Sequence, residues 1–383
     1  MNWYAIENID QLDTPALVVF PERVRENIRL AVEMAGSPSR LRPHVKTHKS
    51  PDAARLMLAA GIAQFKCATI AEAEMLAIAG APDVLLAYQP IGPKVVRLAE
   101  LIRKYPGTLF SCLIDRYEAA SAMARIFTAA GLNVPVYLDL NLGMDRTGIS
   151  PGPEALDLHT KVALLEGITV VGLHAYDGHI RDADIEIRTQ KCDEAFAAVT
   201  DLQTAIAALS RPGSPGLSVI AGGSPTFPIH ARRAALDNHL PLAAPAMFQC
   251  SPGTFVYWDK GYADTCPEQP FSPAALVVTR VISLRGETRL CLDLGHKSIA
   301  AENDISRRVF FPQAPGLRPV GQSEEHLVVE AGPGHGFSIG DVFYGIPFHV
   351  CPTVALYERA FTAENGRLTG DWKNIARDRT LTI

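Results

Sequence analysis

The sequence predicts an α/β protein with two domains: a (β/α)8 barrel of the TIM type followed by a C-terminal antiparallel β domain. Between residues 15 and 250, short apolar segments alternate with amphipathic ones about eight times, which is typical of parallel βαβ units. After residue 250 the apolar segments are short, β-rich and separated by glycine and proline, as in antiparallel domains. No glycine-rich dinucleotide motif follows the first apolar segment, which favours a closed barrel over an open sheet.

Length and composition agree with a globular protein of this size. The chain has 383 residues, of which 48% are hydrophobic and 20% charged. The net charge of −5 and a pI near 6.1 argue against general binding to nucleic acid or to an anionic membrane. No apolar run approaches the roughly 20 residues that span a bilayer. The first residues lack signal-peptide features, and the seven scattered cysteines form no CxxC pair. We therefore expect reduced thiols and a cytoplasmic location.

The elements of the barrel are predicted in alternation along the chain. The segment 22–36, ERVRENIRLAVEMAG, shows the procedure: its apolar residues recur with helical periodicity and it ends at a glycine. Strands are predicted at 16–20, 41–45, 64–69, 83–88, 108–115, 134–143, 167–178 and 217–224. Helices are predicted at 22–36, 50–61, 70–80, 93–105, 116–131, 153–167 and 193–209.

The second domain is predicted from apolar segments bounded by turn residues. They lie at 274–284, 289–295, 326–332, 341–347 and 353–361. We expect the barrel to comprise residues 13–250, and the β domain to comprise residues 251–383 together with residues 1–12.

The segment RPHVKTHKSP, residues 42–51, gathers five cationic or titratable side chains at a predicted strand end. In (β/α) barrels the chemistry lies at the carboxyl ends of the strands. Positive neighbours disfavour the ammonium form of a lysine, which is what an imine-forming lysine requires. We expect Lys46 to be that lysine, with Lys49 as the competing candidate. The predicted positive field comes from Arg42, His44, His48 and Lys49. Taken alone, Lys46 is more simply a surface lysine.

Polar residues follow other predicted strands as well. The segment GGSPT, residues 222–226, offers unhindered backbone N–H groups and hydroxyls, which suit a phosphate. An ordinary turn is the alternative interpretation. The other strand-end residues include Lys66, Tyr88, Asp139, Arg146, His174, Tyr176, Asp177 and His179.

The segment PFHVCPT, residues 347–353, contains a His-x-Cys pair. Residues two apart on a strand point to the same face, so His349 and Cys351 would present an imidazole and a thiolate together. That pair of ligands suits Zn²⁺. The alternative is a buried cysteine that lies near a histidine by chance.

These segments also occur in a characteristic succession. DTPALVV, RPHVKTHK, MDRTG, GLHAYDGH, GGSPTF, SPGT and PFHVCPT follow one another over about residues 12 to 360. The succession resembles the fold-type III pyridoxal-phosphate (PLP) enzymes and, more narrowly, the eukaryotic-type D-serine dehydratase and D-threonine aldolase family. The resemblance implies an alanine racemase-like barrel followed by a β domain, a small D-amino acid as substrate, and a homodimer.

The resemblance assigns roles to individual residues. Lys46 matches the lysine that forms an imine with the cofactor, Tyr176 lies against the cofactor ring, and Arg146 lies near it. The phosphate is bound by Ser224, Gly253 and Thr254 in a loop shaped by Gly222 and Gly223. Alanine racemase has an arginine at the pyridine nitrogen where this chain has Ser251. A neutral partner makes the pyridine a weaker electron sink, which fits elimination or aldol cleavage better than racemisation.

The resemblance also bears on the metal and the reaction. Dehydratases of the family carry His-x-Cys where aldolases tend to carry His-x-Asp, so Cys351 favours dehydration. We expect zinc, with manganese as the alternative. The expected reaction converts D-serine, D-threonine or D-3-hydroxyaspartate to a 2-keto acid and ammonia. The alternatives are cleavage to glycine and an aldehyde, a non-catalytic PLP carrier, and a protein without a cofactor.

Overall fold

The computed structural model describes residues 2–210, 216–236 and 247–383. The chain packs into two compact units. The barrel unit comprises residues 31–46, 54–253 and 379–383, and the sheet unit comprises residues 1–30, 47–53 and 254–378. The predicted domains, a cofactor-binding barrel of residues 13–250 and a β domain of residues 251–383 with 1–12 that carries the metal motif, stay a prediction.

The described elements are as follows. The strands are β1 Ala16–Val19, β2 Gln64–Cys67, β3 Asp83–Leu86, β4 Leu109–Ile114, β5 Val134–Asn141, β6 Ile168–Tyr176, β7 Ser218–Ala221, β8 Phe248–Cys250, β9 Ala275–Arg285, β10 Arg289–Leu292, β11 Val309–Phe310, β12 Arg318–Gln322, β13 Leu327–Glu330, β14 Val342–Pro347, β15 Arg359–Glu364 and β16 Arg367–Lys373. The helices are α1 Pro21–Ala35, α2 Pro51–Ala59, α3 Ile70–Ala79, α4 Pro93–Lys104, α5 Tyr117–Ala129, α6 Pro153–Val162, α7 Ile185–Leu209, α8 Phe227–Leu236, α9 Lys260–Thr265 and α10 Val350–Val354.

The barrel unit contains a parallel sheet that closes on itself. Strands β2 to β8 pair in chain order. Residues 41–44 join the two ends of this sheet through the bridges Leu41↔Cys250 and His44↔Lys66. The amide of Arg42 donates to the carbonyl of Cys250 at 2.9 Å, and that of Lys66 donates to Pro43 at 2.8 Å. The predicted barrel is confirmed, and residues 41–44 form the eighth segment that closes it.

The sheet unit is built on nine strands in the path β12-β13-β10-β9-β1-β15-β16, with β14 on β9 and β11 on β14. The predicted β domain is confirmed. The interpretation of β1 as the start of the barrel alternation is wrong, because β1 pairs with β9 and β15. Its Val18 packs on Leu276 and Val278 of β9. A four-residue apolar strand carries no periodicity that would identify its partners, so tertiary packing decides.

The observed elements differ locally from the predicted ones at several places. Helix α7 begins eight residues earlier than predicted, where the Asp184 side chain accepts a hydrogen bond from the amide of Glu186 at 2.8 Å. Helices α8 and α9 and strands β8, β11, β12 and β16 were not predicted. The predicted strand 353–361 is the end of α10 followed by the start of β15. Among the described helices, none combines the length and apolar character that a membrane span requires.

Candidate functional site

Lys46 lies at the carboxyl end of the barrel, in a single 3₁₀ turn, Val45–Thr47. Its side chain is exposed, and its backbone N–H donates to His44 Nδ1 at 3.2 Å. The segment before it, residues 41–44, is hydrogen-bonded to the chain that leads into Gly253, since the amide of His44 donates to the carbonyl of Pro252 at 2.9 Å. The amine is therefore accessible to an aldehyde at the end of the barrel where such enzymes place their chemistry.

Lys49, the competing lysine, lies in the sheet unit. It is half-buried, has a positive φ of 52°, and its carbonyl accepts a hydrogen bond from the amide of Ala376 at 3.4 Å. Its place outside the barrel unit supports the preference for Lys46, whose role as the cofactor lysine stays a prediction.

The predicted positive field around Lys46 is wrong for two of its four members. Arg42 is 1% exposed, and its guanidinium donates to both carboxylate oxygens of Asp83, at 2.7 and 2.8 Å. Its charge is thus compensated within the barrel. His48 is fully buried in the sheet unit, and burial, reinforced by Lys49, lowers the pKa of its imidazole to about 3. It is neutral at any working pH.

The loop that was predicted to bind phosphate is brought together by the fold. The amide of Gly253 donates to Ser224 Oγ at 3.3 Å, although 29 residues separate the two. The amide of Gly223 donates to Thr226 Oγ1, also at 3.3 Å. Both hydrogen bonds are long, so phosphate oxygens can replace their acceptors at little cost. Backbone amides and a hydroxyl gathered in this way fit the phosphate of PLP.

Gly222 is required at its position in this loop. Its φ is +74°, and a Cβ there would lie 2.5 Å from Cδ2 of His230. Its amide donates to the carbonyl of Ala175 at the end of β6, at 3.0 Å. The first glycine therefore lets the loop turn directly off the neighbouring strand.

Asp177 holds this loop in place. Its carboxylate accepts hydrogen bonds from Thr226 Oγ1 at 2.8 Å and from His230 Nε2 at 2.7 Å. Burial alone would raise the pKa of Asp177, but His230 and Thr226 outweigh it and lower the pKa. The charged carboxylate thus connects the end of β6 to the loop and to α8.

The Asp177 carboxylate also belongs to a group of side chains of the types that bind metal ions. Among the described residues, only Asp177, Cys192 and His230 bring three potential ligand atoms within 4.8 Å of one another. Without a metal ion, burial, reinforced by Asp177, raises the pKa of the Cys192 thiol to about 12, so the thiol is then protonated. The 2.7 Å contact from His230 to Asp177 is moreover a hydrogen bond. We interpret the group as a buried polar network that shapes the loop.

Replacement of Asp177 with asparagine tests this interpretation. A hydrogen bond to a charged group contributes about 1.5–3 kcal/mol, so the variant should bind PLP roughly 10- to 100-fold more weakly. Titration of the cofactor-free protein measures this, and circular dichroism checks the fold. Asp182→Asn, which removes a half-buried carboxylate paired with Lys191, is the matched control. Equal affinities of the two variants would show that Asp177 does not hold the loop.

Tyr176 and Arg146 meet at the end of β6. The Arg146 guanidinium lies over the Tyr176 ring, 5.2 Å from its centroid. The ring also contacts the phosphate loop, since a Cβ on Gly223 would lie 3.1 Å from Tyr176 Cε2. Gly148 fixes the turn that carries Arg146: its φ is +95°, and a Cβ there would lie 2.7 Å from the amide nitrogen of Asn141. The fold therefore gathers these predicted cofactor residues in one unit.

Ser251, which stands where alanine racemase has an arginine, is 3% exposed. Its hydroxyl donates to the carbonyl of Arg42 at 2.8 Å. The position is neutral and its donor is engaged by the backbone, which agrees with the expectation of a weak electron sink.

His349 and Cys351 are adjacent, but not for the predicted reason. Strand β14 ends at Pro347, and His349 is the N-cap of α10. The predicted strand face is therefore wrong. The helix turn nevertheless brings the two side chains close enough that Cys351 raises the pKa of His349. Asp259 anchors this turn by accepting a hydrogen bond from the amide of Val350 at 3.1 Å.

The surroundings of this pair attract a cation. His349 Nδ1 lies 2.5 Å from Oε1 of Glu302, which sequence reasoning missed because no spacing connects residues 47 positions apart. Burial alone would lower the pKa of His349, but Cys351 and Glu302 reverse this and raise it to about 9. Cys351 Sγ lies 3.2 Å from the Thr47 hydroxyl and 3.8 Å from that of Thr254. The imidazole of His349 and the sulfur of Cys351 form a donor set that fits a divalent cation. The predicted role of Thr254 in binding the phosphate stays a prediction.

Comparison with known families and proteins agrees with this geometry. The family model "Alanine racemase, N-terminal domain" matches residues 20–237, more than half of the chain. The model "Putative serine dehydratase domain" matches residues 274–363.

Individual relatives match over nearly their whole length. A D-threonine aldolase of Arthrobacter sp. is 27% identical, over 96% of this chain and 93% of the relative. A D-threo-3-hydroxyaspartate dehydratase of Delftia sp. strain HT23 is 26% identical, over 90% and 93%. The crystal structure of D-threonine aldolase from Filomicrobium marinum superposes with a TM-score of 0.86 at 25% identity, covering 98% of this chain and 99% of that one. The chain therefore belongs to the alanine racemase N-terminal domain family and, with its serine dehydratase domain, to the D-serine dehydratase and D-threonine aldolase group of fold-type III PLP enzymes.

Proposed function

We propose that this protein is a PLP-dependent lyase that dehydrates D-β-hydroxy amino acids to a 2-keto acid and ammonia. The observation that carries the proposal is the barrel end that combines the exposed Lys46, the Ser224–Gly253 contact, and Tyr176 with Arg146. The relatives named above, which act on hydroxylated D-amino acids, support the substrate class.

The barrel unit supplies the groups that would hold the cofactor. Lys46 would bind its aldehyde carbon, and the amides of Gly223 and Gly253 with the Ser224 hydroxyl would bind its phosphate. Tyr176 would pack against the ring. When bound, PLP supplies an electron sink that weakens the bonds at the substrate Cα.

Lys46 has a second task in this proposal. With the substrate bound to the cofactor, the Lys46 amine would be the basic group at this end of the barrel. It would accept the proton from Cα and hold it through the elimination. The neutral Ser251 position favours a route in which negative charge does not persist at Cα, as in loss of the β-hydroxyl.

We propose further that His349 and Cys351 hold a divalent cation. A thiolate ligand favours zinc over the harder manganese. Glu302 would orient the imidazole through Nδ1, as carboxylates commonly do for histidine ligands. The cation would supply a Lewis acid for the β-hydroxyl as it leaves.

Retro-aldol cleavage to glycine and an aldehyde is the second candidate. It is favoured by the D-threonine aldolases, since one is 27% identical and the Filomicrobium marinum structure superposes with a TM-score of 0.86. Cys351 favours dehydration, because aldolases of this group tend to carry aspartate there. A non-catalytic PLP carrier is disfavoured by the sheet unit and its His349–Cys351 pair, which such a protein does not require.

The products from D-threonine separate the two reactions. Dehydration breaks the Cβ–O bond and yields 2-oxobutyrate and ammonia, whereas aldol cleavage breaks the Cα–Cβ bond and yields glycine and acetaldehyde. We expect the PLP- and zinc-loaded protein to release predominantly the keto acid. Glycine and acetaldehyde in excess would assign the protein as an aldolase.

We also propose that the protein is a cytoplasmic homodimer with no nucleic-acid or membrane partner. The family resemblance supports the dimer, and the seven cysteines without a disulfide among the described residues agree with a reducing compartment. Light scattering of the purified protein tests the oligomeric state.

A further inference from the structure

A second lysine lies in the barrel interior, and the proposed reaction does not use it. Lys66, on β2, is 2% exposed. Its Nζ lies 3.3 Å from Nε2 of His174 on β6, and His174 Nδ1 lies 2.7 Å from Oδ1 of Asp139 on β5. Three strands thus contribute one side chain each to a continuous chain of hydrogen bonds.

The direction of these hydrogen bonds follows from the carboxylate. Asp139 accepts from His174 Nδ1–H, which leaves the lone pair of Nε2 facing the amine of Lys66. Burial alone would raise the pKa of Asp139, but the hydrogen bonds from His174 and Thr147 lower it, so the carboxylate is charged. Burial, reinforced by Lys66, lowers the pKa of His174, so the imidazole is neutral. Lys66 is therefore the one of these three groups whose protonation state can change.

The surroundings leave Lys66 between its charged and neutral forms. Burial, reinforced by Lys46 and Arg146 and opposed by Asp139 and Asp177, lowers the pKa of Lys66 to about 7. Its Nζ also lies 5.5 Å from the centroid of the Tyr176 ring, which Arg146 shares. The titratable and charged groups that face Lys66 are therefore Lys46, Asp139, Arg146, His174, Tyr176 and Asp177.

We propose that the amine of Lys66 is the proton acceptor of the cofactor site. Positioned by His174 and Asp139, it takes up a proton and becomes a cation when the anionic cofactor binds. The inference rests on the proposed function, because it requires a phosphate-bearing pyridine beside Tyr176. Lys46 and Arg146 both disfavour the ammonium form of Lys66, and an arriving anion would offset their effect. Lys66 is a positioning residue, since it sets the charge of the site without being assigned contact with the reacting atoms.

The sign of the effect follows from linkage. An anion stabilises the ammonium form and raises the pKa of Lys66 from about 7. Above that pH the amine is neutral before binding and charged after it, so binding consumes up to one proton. The dissociation constant should then rise by up to about tenfold for each pH unit between pH 7.5 and 9.

The experiment uses pyridoxine 5′-phosphate, which has no aldehyde and so leaves Lys46 unmodified. Its phosphate is already a dianion at pH 8. Titration calorimetry at pH 8 in two buffers of different ionisation enthalpy gives the number of protons taken up. We expect uptake by the wild-type protein, and its loss in Lys66→Met and Lys66→Arg. The arginine variant is charged throughout, so its affinity should be independent of pH between 7.5 and 9. Lys161→Met, which changes an exposed lysine on α6, is the matched control and should keep the uptake.

Three outcomes would overturn the proposal. Binding without proton uptake in the wild-type protein excludes Lys66 as an acceptor, whatever the variants do. Uptake that persists in a folded Lys66→Met assigns the proton to another group. In both cases the cofactor site itself stands. If neither pyridoxine 5′-phosphate nor PLP binds the wild-type protein, the proposed function fails, and the role of Lys66 fails with it.

Discussion

Lys46→Ala is expected to abolish covalent attachment of PLP and to reduce turnover of D-serine by at least about 10³-fold. The variant loses both the amine that binds the cofactor and the base that accepts the Cα proton, and a general base alone contributes about 10²–10⁴-fold. Borohydride reduction of the PLP-loaded protein followed by peptide mass spectrometry measures the attachment. The fold should survive, because the Lys46 side chain is exposed.

Lys49→Ala is the matched control for this experiment. Lys49 lies three residues further along the chain, in the sheet unit, and we expect this variant to keep the covalent cofactor. If Lys49→Ala lost the covalent cofactor and Lys46→Ala retained it, Lys49 would be the residue that forms the imine.

Removal of the metal is expected to stop dehydration and leave the covalent cofactor in place. In the proposed function, covalent attachment depends on Lys46 and the phosphate loop, whereas loss of the β-hydroxyl depends on the Lewis acid. Elemental analysis of Cys351→Ala should show less than one tenth of the wild-type zinc. Glu302→Gln, which keeps the shape but removes the charge beside His349, should weaken zinc binding about 10- to 100-fold.

Two further cysteine variants make this experiment specific. Cys291→Ser changes a half-buried cysteine in β10 and should keep full zinc content. Cys192→Ser tests the alternative ligands, because Cys192 belongs to the buried group with Asp177 and His230. Zinc lost from Cys192→Ser but retained by Cys351→Ala would move the metal into the barrel unit. Full activity of a protein shown to be metal-free would remove the metal from the reaction.

The alternation of apolar and amphipathic segments was sufficient to predict the barrel, because each βαβ unit is encoded locally. The partners of β1 were not predictable, since four buried residues suit any sheet and only the packing of Val18 on Leu276 selects this one. Segment 353–361 was misassigned for a similar reason. Its β-branched residues indicated a strand, but the helix that begins at the turn anchored by Asp259 continues to Val354.

In the site, residue types could be predicted from local motifs, but their charge states could not. RPHVKTHKSP suggested a positive field, yet Arg42 is neutralised by Asp83 and His48 by burial. Pairing partners 41 residues away are invisible to a local pattern. Glu302 was missed for the same reason, and Lys66 was named only as a strand-end residue without a role, since the importance of both lies in contacts made across the fold. Motif succession, by contrast, located the phosphate loop, and the structure joins Ser224 to Gly253.

The enantiomer test examines the central claim most directly. The protein, loaded with PLP and zinc, is incubated separately with the D and L forms of serine and threonine, and both the remaining amino acid and the products are analysed. We expect only the D forms to be consumed, with pyruvate and ammonia from D-serine and 2-oxobutyrate and ammonia from D-threonine. Interconversion of D and L forms without bond cleavage, or no consumption of any of the four, would contradict the assignment of this protein as a lyase of D-β-hydroxy amino acids.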